Sequence, residues 1–395
     1  MNEHKQTPIG KIPEDWEVAK LGNKISLEYG KGLTETQRKK GKYPVFGSNG
    51  VVGYHIDFLV KRPGIVVGRK GTIGAISWTD NDFWPIDTTY FVVLKDNSTD
   101  LSWMYYKLSS LNLSKLNMAT GTPGLNRDIA YGQVISIPSK PEQKKIAEIL
   151  STVDEGIEKT EQAIEKTERL KKGLMQKLLT RGISHKEFKD TEIGRIPASW
   201  KVVKVGQIAN LINGRAFKPT EWSDAGLPII RIQNLNDLSK PFNYCNFEVA
   251  EKYIINKEEI LLAWSGTPGT SFGVHKWMGR KAVLNQHIFK VIFKAPDLFK
   301  NYFIAAINQR LDFLIKKAHG GAGLKHVTKS VVNMMLISLP TLFEQKKIAE
   351  ILGTVDNRLE LLRKKKEKLE RVKKGLMNDL LTGQKRVKVG AQDGF

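Results

Sequence analysis

Two stretches of the chain repeat apolar residues with a heptad spacing. Taking Leu150 as position a, the a and d positions are Val153, Ile157, Thr160, Ile164, Thr167, Lys171, Leu174 and Leu178. The second stretch runs through Leu352, Val355, Leu359, Leu362, Lys366, Leu369, Lys373, Leu376 and Leu380. Both seams carry polar interruptions, and outer positions hold charges such as Glu158, Lys159, Glu165 and Lys166, the pattern of a solvated helix face. Each stretch opens with Glu-Gln-Lys-Lys-Ile-Ala-Glu-Ile-Leu, at 142–150 and 344–352, and ends in Lys-Gly-Leu-Met, at 172–175 and 374–377. Two long helices of matched length are predicted, over 142–182 and 344–382.

The sections before each helix switch to short apolar runs bounded by glycine and proline. Tyr43-Pro44-Val45-Phe46 matches Leu227-Pro228-Ile229-Ile230 in type. Ile65-Val66-Val67-Gly68 with Gly71-Thr72-Ile73-Gly74 matches Ile260-Leu261-Leu262-Ala263 with Gly266-Thr267-Pro268-Gly269, which reads as strand, turn, strand. Residues 90–94 and 288–293 are further strands, rich in aromatic and β-branched side chains, and short helices are predicted near 103–111 and 299–313. Each section also opens alike, with Ile9-Gly10-Lys11-Ile12-Pro13 and Trp16, then Ile193-Gly194-Arg195-Ile196-Pro197 and Trp200; both tryptophans are expected in cores.

The chain is therefore a tandem duplication in the order globule, helix, globule, helix. The expected boundaries are 1–141 and 183–343 for two mixed α/β globules, with a loose basic tail over 383–395. Connectivity requires the two helices, if they pair, to run antiparallel. The predicted class is α/β: two globules separated by a long antiparallel two-helix coiled coil with an internal pseudo-two-fold. About 38 residues at 1.5 Å rise make a rod of roughly 55–60 Å, a ruler between the globules.

Composition sharpens this picture. Of 395 residues 41% are hydrophobic, an ordinary globular share, and no apolar run has the length of a membrane span, so a soluble cytoplasmic protein is expected. The single cysteine, Cys245, rules out a disulfide framework. A formal net charge of +22 exceeds what solubility needs and points to a polyanion, nucleic acid first. Two related basic globules about a two-fold suit duplex DNA; because their interiors differ, the target is expected to be bipartite and asymmetric, with an unread spacer.

Catalytic motifs are absent from the sequence. There is no phosphate-cradling loop, no dinucleotide fingerprint, no methyltransferase signature, and no His or Cys spacing for metal. No cofactor is expected. Base readers should instead be polar side chains on glycine-framed loops. In the first globule the candidates are Lys31, Ser48, Asn49, Arg69, Lys70, Thr72, Thr122, Asn126 and Arg127. In the second they are Arg215, Lys218, Arg231, Gln233, Asn234, Trp264, Ser265, Thr267, Lys325 and His326. Equivalent loops carry different residues: Arg69-Lys70 stands where Trp264-Ser265 stands, and Ser48-Asn49 where Ile232-Gln233 stands. Asn285-Gln286-His287 reads better as a satisfied strand-end network.

The seam accounts for the apolar residues of the repeated nonamer but not for its identical polar ones. Glu142, Gln143, Lys144, Lys145 and Glu148, with Glu344, Gln345, Lys346, Lys347 and Glu350, are expected to bind the same partner protein, one molecule at each end.

Two diverged globules, paired helices, the Ile-Pro-x-x-Trp opening and the Glu-Gln-x-x-Ile-Ala-x-Ile-Leu helix start resemble the specificity subunit of type I restriction–modification systems. The resemblance covers nearly the whole chain. Trp264-Ser265-Gly266-Thr267 and Asn285-Gln286-His287-Ile288 also look like phrases of that family's target recognition domains. It implies a non-catalytic subunit whose two target recognition domains each read half of a split DNA sequence. It also implies recruitment of two methyltransferase subunits and, in the full complex, restriction subunits. S-adenosylmethionine belongs to the former, ATP and Mg²⁺ to the latter, and adenine is methylated after base flipping. The rival readings are a fused modification–restriction enzyme, which needs motifs missing here, and a non-catalytic coiled-coil scaffold for RNA or another polyanion.

Overall fold

The computed structural model describes residues 3–116, 124–266, 272–319 and 325–388. The chain forms two units, Met1–Gln162 with Arg363–Phe395, and Ala163–Leu362.

In the first unit the opening phrase is an antiparallel hairpin, His4–Thr7 with Gly10–Pro13, that leads into the fully buried Trp16. Glu17–Lys20 then pairs with Val134–Ile137. The main sheet is antiparallel in the order Ile25–Tyr29, Thr89–Leu94, Gly64–Gly68, Ile76–Thr79. Gly64–Gly68 lies inside this sheet and is buried along its whole length, which explains its unbroken apolar run. A smaller sheet joins Gly50–His55, Tyr43–Gly47 and Trp84–Pro85. Helix Leu101–Ser110, capped by the Asp100 carboxylate on the Trp103 N–H, places Trp103, Met104 and Leu108 in the core with Trp16, Leu21 and Ile65.

The second unit repeats the plan. Its hairpin is Phe188–Thr191 with Gly194–Pro197, and Lys201–Lys204 pairs with Leu336–Leu339. The main sheet runs Ala209–Asn213, Ile288–Phe293, Ile260–Ala263, Gly273–Lys276. The strand expectations hold in both units. The helix predicted near 299–313 is in fact two, Lys300–Gln309 and Leu311–Lys317, broken where Arg310 leaves the helical region.

The long helices are Lys140–Arg181 and Leu342–Leu381. Each unit holds part of both, and the partners run antiparallel. In the first unit Lys373 pairs with Asp154 at 2.6 Å and Lys366 with Glu161 at 2.7 Å. In the second Lys171 pairs with Asp356. The seam lysines are thus interhelical ion pairs rather than flaws. Thr160 and Thr167 are buried in the seam, and each returns its hydroxyl to the carbonyl four residues back, Gly156 O and Ala163 O, both at 2.7 Å.

The expectation of a loose tail is corrected for its described part. Gly383 ends the second helix with φ +76°, and Gly182 ends the first with φ +64°, the left-handed cap that glycine enters without strain. Beyond Gly383, Arg386 forms charge-assisted bonds to Asp15 and Glu142, Lys385 pairs with Asp379 at 2.7 Å, and Val387 packs on the core. Residues 385–387 complete the first unit.

Candidate nucleic-acid interface

Five segments of the first unit meet at the Thr88-Thr89 end of its main sheet. The amides of Arg69 and Lys70 both donate to the Thr88 carbonyl, at 2.9 and 3.1 Å, and the Ser48 hydroxyl donates to the same oxygen at 2.8 Å. Gly30 N–H donates to Thr89 O and Lys31 N–H to Pro85 O. Leu125 N–H donates to Arg69 O, which brings up Asn126 and Arg127. Exposed Asn49, Lys70 and Thr72 lie on the adjoining turns.

The second unit builds the same frame from other residues. Trp264 N–H donates to His287 O, Gly214 N–H to Ile288 O, Arg215 N–H to Leu284 O and Val327 N–H to Trp264 O. This bonding equates Arg69 with Trp264, Lys31 with Arg215, Thr88 with His287, and Leu125 with Val327. Strand pairing likewise equates Tyr29 with Asn213 and Tyr90 with Phe289.

Different chemistry stands on that frame. In the first unit the Arg69 guanidinium lies 5.0 Å from the Tyr29 ring and 5.9 Å from Tyr90, and Arg127 lies 5.2 Å from Tyr29. Arg69 Nε is buried and has no hydrogen-bond partner among the described residues. Burial, and then a hydrogen bond with Tyr29, push the Tyr90 hydroxyl up to about 12, so the phenol stays neutral. In the second unit Trp264 stacks on Phe289 at 5.6 Å, beside His287 at 5.4 Å and His326 at 6.0 Å. Trp264 Nε1 donates to Asn213 Oδ1, and Ser265 Oγ bonds His326 Nδ1 at 2.7 Å. Burial first, then His326, hold His287 below its ordinary range. A small cavity between Arg231, Gln233, Asn285 and His287 adjoins this cluster.

Several predicted readers are committed elsewhere. Asn234 is fully buried; its oxygen accepts the Arg231 amide and its nitrogen donates to Lys240 O and Pro241 O, so it holds a turn and has no edge left for a base. Ser265 is also buried. Arg215 is paired with Glu221 and lies over Phe217 and Phe247. Lys218 is exposed but only flanks this pair, its amide on Glu221 Oε2. Asn126 caps a short helix through the amides of Asp128 and Ile129. Gln233 donates to Pro241 O, and Arg231 to Asn243 Oδ1. Thr122, Thr267 and the side chain of Lys325 lie outside the described residues.

Sequence reasoning missed Tyr29, Tyr90, Asn213, Phe289 and His287. The first four are strand residues whose alternation reads as ordinary sheet. His287 is expected in a satisfied network, but among the described residues its Nδ1 is buried without a partner and Gln286 contacts only Nε2.

The repeated helix start also requires a correction. Glu142 and Gln143 are buried, at 1% and 0% exposure, as are Glu344 and Gln345, at 9% and 0%, so these four face the inside of their units, not a partner. Trp16 Nε1 donates to Glu142 Oε2 at 3.1 Å and Trp200 Nε1 to Glu344 Oε2 at 2.8 Å. Gln143 accepts the Asp100 amide and donates to Ser98 O and Pro138 O. Gln345 accepts the Phe299 amide and donates to Asp297 O and Pro340 O. Their identity is explained by the opening tryptophan and the short helix that each must hold. Lys144, Lys145 and Glu148, and Lys346, Lys347 and Glu350, line the outer face, with Lys145–Glu148 and Lys347–Glu350 pairs at 2.8 and 3.0 Å.

A family model described as the type I restriction modification DNA specificity domain matches residues 13–169 and again 197–371. The chain is 30% identical to the type I restriction enzyme MjaVIII specificity subunit of Methanocaldococcus jannaschii, over 96% of this chain and 95% of that protein. The chain belongs to the type I restriction–modification specificity subunits. A putative MjaX specificity subunit of the same organism is 28% identical over 97% of both chains. The crystal structure of the S subunit from M. genitalium has the same fold, with a TM-score of 0.66 at 18% identity over 93% of this chain and 96% of that one. A second neighbour, from a study of type I complex assembly and conformational transition, gives a TM-score of 0.56 at 14% identity, over 95% of this chain and 100% of that one. The scaffold reading finds no support in these matches. Among the described residues no helix is long and apolar enough to cross a membrane, and no group of three or more His, Cys, Asp or Glu could hold a metal ion.

Proposed function

We propose that this specificity subunit binds duplex DNA through the two strand-end clusters, each unit reading one half of a split, asymmetric target. The observation that carries the reading is one backbone frame, built by the same hydrogen bonds in both units, that presents Arg69, Tyr29 and Arg127 in one and Trp264, Asn213, His287 and His326 in the other. Drift alone would not keep the frame while exchanging every side chain that it displays. The net charge of +22 supplies phosphate affinity, and the displayed groups supply discrimination.

In this reading the chain carries no chemistry of its own and works in the cytoplasm. Two methyltransferase subunits dock on it, one at each unit, and restriction subunits join the full complex. The outward lysine and glutamate pairs of the two helix starts are the repeated surface that such docking needs. The long helices fix the number of unread base pairs.

Methylome sequencing of cells that express the chain with a methyltransferase subunit tests the reading. Two short blocks separated by an unread spacer of fixed length are expected. A continuous or palindromic motif would refute it.

A further inference from the structure

We propose that Arg69 and Arg127, held on the Tyr29 ring, read a guanine in the half-site bound by the first unit; this rests on the DNA-recognition reading above. Two arginines that also lie on aromatic rings are held by carboxylates, Arg215 by Glu221 and Arg386 by Glu142 and Asp15. Among the described residues neither Arg69 nor Arg127 forms an ion pair, yet both guanidinium groups are drawn to one phenol. Two like charges gathered without a counter-ion suit a ligand edge made of acceptors.

In the major groove guanine offers two acceptors side by side, N7 and O6, while adenine offers one acceptor and one donor. A guanidinium matches the guanine pair with a two-pronged fork that lysine lacks. Contact with an aromatic face fixes the plane of the fork before binding, so less rotamer freedom is lost on recognition. Arg69 Nε is already buried and bonds to nothing among the described residues, so recognition falls to the two terminal nitrogens. Tyr29 remains 50% exposed, a large aromatic surface kept open beside the two cations. Tyr29 is a positioning residue here: it orients the arginines and makes no base contact itself.

The second unit supplies an internal control. Trp264 replaces Arg69 and Asn213 replaces Tyr29 on the same frame, so this reader is absent from the other half-site.

The test uses the full chain with its methyltransferase subunit and duplexes randomised one position at a time across both half-sites. The half-site whose preference shifts with Trp264→Ala belongs to the second unit. Arg69→Lys keeps the charge and removes the fork. It should lower the preference for G·C at one position of the other half-site by about 10- to 100-fold, with the second unit's half-site unchanged. Arg127→Lys should act at the same position. Tyr29→Phe should preserve the preference and Tyr29→Ala should lose it. Retained recognition of the second half-site reports that each variant is folded. Uniform weakening on all sequences would make these arginines phosphate contacts and overturn the proposal while leaving the functional reading intact. Relaxation at an A·T position would also overturn it. Failure of the unmodified protein to select any split target would instead overturn the functional reading.

Discussion

A carboxylate buried among donors does more for a fold than its charge suggests, and Glu142 and Glu344 test how much. Each takes the indole N–H of its unit's opening tryptophan, but the remaining partners differ. Glu142 also holds the Arg386 guanidinium, which raises the pKa of Arg386 through hydrogen bonds to Glu142 and then Asp15. Glu344 takes the Ile183 amide at 2.9 Å and meets His185 Nε2 at 2.8 Å. A carboxamide has one accepting oxygen, so glutamine at either position must turn an N–H toward a donor. Glu142→Gln and Glu344→Gln are each expected to cost about 2 kcal/mol, confined to their own units. Hydrogen exchange resolved along the chain checks this: protection should fall in residues 4–20 for the first variant and 188–204 for the second. Equal loss in both units would mean that these residues do not hold their own hairpins.

Helix ends show a second level of design. The second long helix ends at Leu381, whose carbonyl accepts from Lys107 Nζ at 2.9 Å, and Lys107 also reaches Ser136 Oγ at 3.1 Å. The second unit meets the same need with neutral groups: Ser338 Oγ donates to Leu179 O at 3.2 Å, and Tyr302 donates to Ser338 O. A cation at a helix C-terminus is favourable, yet burial pushes the Lys107 amine down to about 8 from an ordinary 10.5. Between those two values the unfolded chain holds a proton that the folded one has lost, so stability rises with pH across that window. Below it both states are charged and the contribution is constant at its lowest. Urea unfolding at pH 7 to 10 is expected to show wild type gaining on Lys107→Met by up to about 1.4 kcal/mol per pH unit between 8 and 10; a constant difference would refute the burial argument.

The same element scale shows what the sequence could carry. Heptad spacing located both long helices, and paired apolar runs located the strands, because burial on one face writes a period into the chain. The seam lysines could be placed but not explained, since Asp154, Glu161 and Asp356 meet them only across the helix pair. Glu142 and Gln143 looked like surface because charged and amide side chains usually are; their partners lie far away in sequence, at Trp16, Asp100 and Arg386. The equivalence of Arg69 with Trp264 was legible from the glycine frame. The roles of Tyr29 and Asn213 were not, because a strand-end residue announces nothing until pairing brings it beside a loop.

At the scale of the whole molecule, both long helices run through both units, and each unit fixes its own part of the pair by ion pairs. A change of length must therefore be made in both helices, at facing positions, or one seam slips against the other. Lys366 faces Glu161 in the first unit and Lys171 faces Asp356 in the second. Four residues inserted after Ile164 and four after Leu362 add about one turn, roughly 6 Å, to both helices. If the helices set the spacing of the half-sites, the unread spacer should lengthen by one or two base pairs, at about 3.4 Å each. The half-site sequences should stay the same because neither strand-end cluster is touched. Insertion in one helix alone should instead break the pairing of Lys366 with Glu161 and lower stability without defining a new spacer. Methylome sequencing reads both results, and an unchanged spacer in the double insertion would remove the helices from the measurement of distance.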